Sequence, residues 1–284
     1  MCKPDLSAFS AETVALVMGY SYMSNRFMPF AFRDRDVQEH IIRTGLNDPD
    51  IDLAITSTQL RFNNILGREI TFDSVSEDTN GDVYNVEVEN RVERGGLERA
   101  TYHISALDTQ TVHKGLKDFR KLPKANGIMF VSKDSLHNGK QKTVFEIRDV
   151  ESPEDKVESS RLKYVIINVH KCDGEDALSQ LCRDLQQSDY KKINNEHLAR
   201  RMQEIKEGPE AEEMCREEEE FGKRKYEKGR IEGLVEGAEN QVKMTVLNCL
   251  KLNYPLKMIA GIVSRSIEEV ESYASASGMP YKMS

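Results

Sequence analysis

The stretch Ile70 to Asn90, ITFDSVSEDTNGDVYNVEVEN, constrains the fold more than any other. Asn80-Gly81 between two alternating runs is the strongest short-range hairpin signal a sequence carries. It predicts strands over Ile70 to Ser76 and Val83 to Glu89, joined by a turn at Glu77 to Asp82. On the returning strand Val83, Asn85, Glu87 and Glu89 share one face, and Tyr84, Val86 and Val88 the other. Asp78 and Asp82 read as turn formers. Asp73 is different, because mid-strand aspartate is disfavoured unless something rewards it. Asp73, Glu87 and Glu89 converge from paired strands, and such carboxylates repel unless solvated, protonated or bridged by a cation.

The surrounding elements follow from periodicity and punctuation. A short helix is expected from Ala11 to Gly19, then an aromatic cluster of Phe27, Phe30 and Phe32. Asp34 or Asp36 caps a helix through about Gly45 that buries Val37, Ile41 and Ile42 and carries Glu39 off its apolar stripe. Leu53 to Phe62 alternates as a strand, with Gln59 near its end. After the hairpin, Leu97 to Thr111 reads as a helix bearing Arg99, Tyr102, Ile104 and Leu107. Gly127 to Ser132 is an apolar run of the kind buried on both faces of a sheet. Thr143 to Val150 and Leu162 to Val169 are further strands. The order predicts an α/β fold, a mixed central sheet with flanking helices.

Composition excludes some classes. No run approaches the ~18 apolar residues of a spanning helix, and the N-terminus lacks a cleavable signal pattern. Cys2, Cys172, Cys182, Cys215 and Cys249 are odd in number, scattered and without a C-x-x-C pair, as expected of free thiols in a reducing cytoplasm. The six histidines show no ligand spacing and read as surface or packing residues. A net charge of −8 argues against generic nucleic-acid binding. The charge is unevenly distributed, however. A basic surplus begins just after the acidic hairpin and includes Arg91, Arg94, Lys114, Lys117, Arg120 and Lys121. A basic flank there would hold phosphate while the carboxylates hold a metal.

The ordered series FMPFAFRDRDVQEHIIRTGL, GREITFDSVSEDTNGDVYNVEVEN, LERATYHISALD, KLPKANGIMFVSKD and EKGRIEGLVEG resembles the PD-(D/E)XK nuclease superfamily. Within it, the series is similar to the Rpn-type recombination-promoting, transposase-like nucleases of bacteria. The resemblance covers roughly Phe27 to Gly237. It implies a restriction-endonuclease-like αβββαβ core and a Mg²⁺-dependent (or Mn²⁺-dependent) phosphodiesterase acting on DNA. Asp73 would be the motif aspartate, and Glu87 the second acidic metal ligand within Tyr84-Asn85-Val86-Glu87. Glu39, Gln59, Arg99 and Tyr102 would be supporting residues. The last catalytic position is Lys in the superfamily and usually Gln in the family. Here it is Glu89, which carries no positive charge and leaves the roles of general base or further ligand.

Past Gly174 the chain turns helical. Helices are expected over Asp176 to Gln187 and Asn195 to Lys206, and Pro209 opens a long acidic one. Gly229, Gly233 and Gly237 then recur every four residues, a spacing that reads as a helical linker or a self-association segment. Val242 to Leu252, a helix opened by Pro255, and Ser266-x-x-Glu269 as a capping box form a terminal module. Its spacing is compatible with helix-turn-helix. Glu268, Glu269 and Glu271 on the last helix favour packing or homo-oligomerisation over DNA contact. The expected organisation is a nuclease-like domain over 1–172, a helical extension over 173–208, a Gly-spaced linker over 209–240 and a helical module over 241–284.

Overall fold

Backbone pairing organises the first two-thirds of the chain around one sheet. The computed structural model describes residues 4–62, 69–90, 96–112, 117–152 and 161–282. Helices α1 (Ala11–Met18), α2 (Met28–Ala31) and α3 (Arg35–Leu46) precede strands β1 (Leu53–Phe62), β2 (Ile70–Asp78) and β3 (Val83–Glu89). Helix α4 (Gly96–Gln110) and strands β4 (Ala125–Val131), β5 (Lys142–Glu146) and β6 (Leu162–Asn168) follow. The sheet runs β1-β2-β3-β4-β6-β5. β1, β2 and β3 pair antiparallel, β3-β4 and β4-β6 parallel, and β5 antiparallel on β6. This is the expected mixed α/β sheet with helices on its faces.

Local chemistry sets the boundaries. Asp34, not Asp36, caps α3, its Oδ1 accepting from the Asp36 and Val37 amides at 2.9 and 3.2 Å. Such a cap contributes about 1 kcal/mol. Asp78 ends β2 by building the turn: Oδ1 accepts from the amides of Asn80 and Asp82, both at 2.9 Å, and Oδ2 from the Tyr84 hydroxyl at 2.9 Å. Gly81 takes φ +85°, the left-handed conformation the turn needs. The strand expected over Thr143 to Val150 is shorter than its composition implies, stopping at Glu146.

Every residue of β4 is buried, because both sheet faces are covered. Val86, Val88, Ile128, Phe130, Val165 and Ile167 pack with Val37, Ile41 and Ile42 of α3 on one face. Met129, Val131, Tyr164 and Ile166 pack beneath Ala100, Ile104 and Leu107 of α4 on the other. Helices α5 (Ala177–Gln186) and α6 (Glu196–Glu207) contribute Leu181, Cys182, Leu185, Leu198, Met202 and Ile205 to the α3-side core. The expected 173–208 extension is therefore part of the main body. Lys206 on α6 ties the N-terminal segment to it, donating to the carbonyls of Met18 at 2.8 Å and Tyr20 at 2.7 Å, and to that of Ser188.

Packing divides the chain into two compact units, Met1–Glu217 and Glu218–Ser284. Helix α7 (Glu210–Lys251) is continuous, so the expected linker and the first helix of the terminal module are one element. A Cβ placed on Gly229, Gly233 or Gly237 meets nothing within 4 Å, so no close approach within the described chain requires them. In the second unit Val246, Cys249 and Leu250 pack with α8 (Leu256–Val263) and α9 (Ile267–Ser277). Ser266 and Glu269 form the expected capping box. Among the described residues no helix is long and apolar enough to cross a membrane.

Candidate active site

The β2-β3 ladder gives way at Asp73. Pairing of β2 with β3 ends at Ser74 opposite Val86. The next hydrogen bonds run through carboxylates: the Asp73 amide donates to Glu87 Oε1 at 3.1 Å, and the Val88 amide to Asp73 Oδ2 at 3.1 Å. The β1-β2 register sets Gln59 across from Asp73, and Gln59 has φ +52°. A non-glycine residue in that region costs on the order of 1 kcal/mol or more. Along β2 the side-chain alternation reverses between Ser76 and Phe72. Ser76 reaches α3 through Gln38, whereas Phe72 packs edge-on against His103 of α4, with ring centroids 5.5 Å apart.

Helix α4 closes the other side. Arg99 and His103 stand four apart and so share one helix face, and that face lies over the carboxylates. Arg99 Nη1 donates to Glu89 Oε2 at 2.7 Å, and its Nη2 is 3.6 Å from Glu87 Oε2. His103 Nδ1 is 3.4 Å from Glu87 Oε1. Asn85 Nδ2 donates to Glu87 Oε1 and to the Ser74 carbonyl, both at 2.9 Å. Glu87 is fully buried and Glu89 is 8% exposed. One guanidinium thus faces three carboxylates. The Asp73 carboxyl is pushed up to about 8, first by burial and next by the charge of Glu87.

Glu39, expected as a supporting residue, lies elsewhere. Glu39 is buried at the start of β1, accepting from the Leu53 amide at 2.9 Å and paired with Arg35 at 3.0 Å and Arg43 at 2.8 Å. Leu53 pairs with Asp78, which lies about 16 Å along β2 from Asp73 at strand rise. Glu39 therefore fastens α3 to β1 rather than supporting the carboxylates. Gln59 is exposed and, in its left-handed conformation, stands on β1 opposite Asp73. Tyr102 is 39% exposed on α4. Arg91, Arg94 and Lys114 lie outside the described residues.

Lys117, Arg120 and Lys121 are exposed, and Arg120 pairs with Asp118 at 2.9 Å. Their connector leads to Lys124, whose carbonyl accepts from the Val83 amide at 2.8 Å. That is the hairpin-turn end of β3, about 13 Å from Glu87 at strand rise, so these cations do not flank the acids as the sequence order implied. His103, expected as a surface or packing residue, is the contributor that sequence reasoning missed. Its spacing from Arg99 was the available signal.

Among the described residues no group of three or more His, Cys, Asp or Glu side chains is disposed to hold a metal ion. Glu89, the third acid, is engaged by Arg99. Asp73 and Glu87 remain as a pair, and Glu87 Oε2 is buried with no hydrogen-bond partner among the described residues. A buried carboxyl pair whose charges conflict fits Mg²⁺ or Mn²⁺, since a cation can displace the Asp73 proton and Mg²⁺ keeps several waters and takes only one or two protein carboxylates. Comparison with family models, with curated proteins and with solved structures finds no match.

Proposed function

We propose that the chain is a Mg²⁺-dependent DNA endonuclease of the Rpn, transposase-like type, built on a restriction-endonuclease-like αβββαβ core. Mn²⁺ would serve as an alternative ion. The observation that carries the reading is the interrupted ladder at Asp73, where two carboxylates replace backbone pairing and face each other beneath a helix bearing an arginine. Asp73 and Glu87 would hold the cation. When bound, the ion draws charge from the scissile phosphate and lowers the pKa of a coordinated water. Asn85 holds Glu87 in place, and His103 with Phe72 closes the site from below α4.

Arg99 answers the departure at Glu89. The strand position that carries Lys or Gln in relatives carries an acid here, and that acid anchors a guanidinium arriving from α4. Positive charge reaches the site from the helix instead of the strand, in a form that donates bidentately to phosphate oxygens. Glu89 is thus the anchor of Arg99, not a base. None of the four described cysteines is in a disulfide, and burial pushes the Cys182 thiol up to about 12; a cytoplasmic location belongs to the same reading. Self-association through the C-terminal helices is part of the same reading.

A second reading, a catalytically silent nuclease-fold protein that binds DNA or protein, is favoured by the Arg99–Glu89 pair itself, which leaves no third ligand. A plasmid-nicking assay with Mg²⁺ or Mn²⁺ separates the two, comparing wild type with Asp73→Ala and Asp73→Asn. Cleavage lost in both variants supports the nuclease. No Asp73-dependent cleavage with either ion rejects it.

A further inference from the structure

Asn85 on β3, Gly127 on β4 and Tyr164 on β6 form one row across three neighbouring strands. A Cβ on Gly127 would fall 2.3 Å from Tyr164 Cε2 and 2.4 Å from Cδ2. The phenol ring therefore lies directly over the glycine and crosses β4 towards β3. Tyr164 is 4% exposed, yet its hydroxyl is buried without a hydrogen-bond partner among the described residues. Asn85 is fully buried, and its Oδ1 is likewise without a partner there. Its Nδ2 is turned towards β2 and Glu87, which leaves Oδ1 for the β4 side. An unpaired donor and an unpaired acceptor stand on either side of one glycine. Buried polar groups left so are costly and are rare in folded proteins.

We propose that Tyr164 is a positioning residue of the site. Its hydroxyl and Asn85 Oδ1 are not directly bonded, so the hydroxyl reaches the amide oxygen through one buried water and helps hold the amide with Nδ2 on Glu87. The reverse amide orientation would press Oδ1 against Glu87 Oε1 and the Ser74 carbonyl, acceptor on acceptor, and an O–H donor on the β4 side adds to that selection. Gly127 makes this possible, because any side chain there displaces the ring. The consequence for ion binding rests on Glu87 being a ligand, as proposed above. Partners one step removed from a metal typically alter its affinity 10–100-fold.

Tyr164→Phe in the full chain removes the hydroxyl and keeps the ring. Two readouts apply: hydrogen exchange of the Asn85 side-chain amide followed by NMR in EDTA, and Mn²⁺ affinity by electron paramagnetic resonance. The expected result is amide exchange at least about tenfold faster and Mn²⁺ affinity about tenfold weaker. Gly127→Ala, which keeps the hydroxyl but shifts the ring, should reproduce both changes. Unchanged Asn85 exchange in Tyr164→Phe overturns the proposal whatever Mn²⁺ does. If wild type takes up no Mn²⁺ while the amide responds, the metal reading fails and the positioning of Asn85 stands.

Discussion

Replacing Asp73 by Asn should stabilise the metal-free protein at neutral and alkaline pH while abolishing its proposed chemistry. The folded-state carboxyl sits at about 8 against an ordinary value of 3.8, because burial and the neighbouring Glu87 charge disfavour ionisation. The folded state therefore holds a proton that the unfolded state has released. Stability tied to that proton is fully present below about pH 4 and is lost progressively as pH rises towards 8. A gap of about four pH units at about 1.4 kcal/mol each sets an upper limit near 5–6 kcal/mol. Asp73 retains some solvent contact, so a loss of about 2–4 kcal/mol between pH 4 and pH 8 is the working figure. Asn cannot ionise, and its side-chain oxygen can still accept from the Val88 amide. Urea melts in EDTA from pH 5 to 8.5 should show wild type falling relative to Asp73→Asn by that amount. Parallel curves would refute the charge conflict and, with it, the reason for a cation at this position.

Three further outcomes follow from the same geometry. Mn²⁺ affinity should rise about tenfold per pH unit between pH 6 and 8, because the ion displaces the Asp73 proton; a flat isothermal-titration profile would count against Asp73 as a ligand. Arg99→Gln leaves three carboxylates without their guanidinium and should cost about 2–3 kcal/mol in urea melts. Glu89→Gln should cost less than half of that, since Arg99 still neighbours Glu87; the reverse order would mean that Glu89 is not the arginine's anchor. Lys206→Met strands three backbone carbonyls and should destabilise by about 2–3 kcal/mol, seen as a lower Tm, whereas an unchanged Tm would show the lysine to be dispensable.

The hairpin was legible because its determinants are local. An Asn-Gly turn, alternation with period two and Asp78 capping its own turn all act within a dozen residues. The caps at Asp34 and Ser266 were readable for the same reason, as was the character of β4, whose unbroken apolar run needs two covered faces. Asp73 and Glu87 were marked as misplaced acids, since strand propensity makes them conspicuous. Their meeting follows from pairing alone, because a hairpin register sets residues opposite one another.

What the chain order alone did not decide is everything carried between elements. Glu39 looked like a helix acid near a site and instead fastens Leu53, because the Arg35 and Arg43 side chains and the start of β1 converge on it. The basic connector follows the acidic strand in sequence but enters at the opposite end of β3, since a parallel crossover returns the chain to where the previous strand began. Gln59 turned out to take a left-handed conformation opposite Asp73, which no propensity marks. Above all, the charge missing from the strand at Glu89 is present in space. Arg99 arrives from α4, ten residues on, and only the packing of that helix over β3 brings a guanidinium to an acid. Local rules placed the carboxylates; tertiary packing decided what neutralises them.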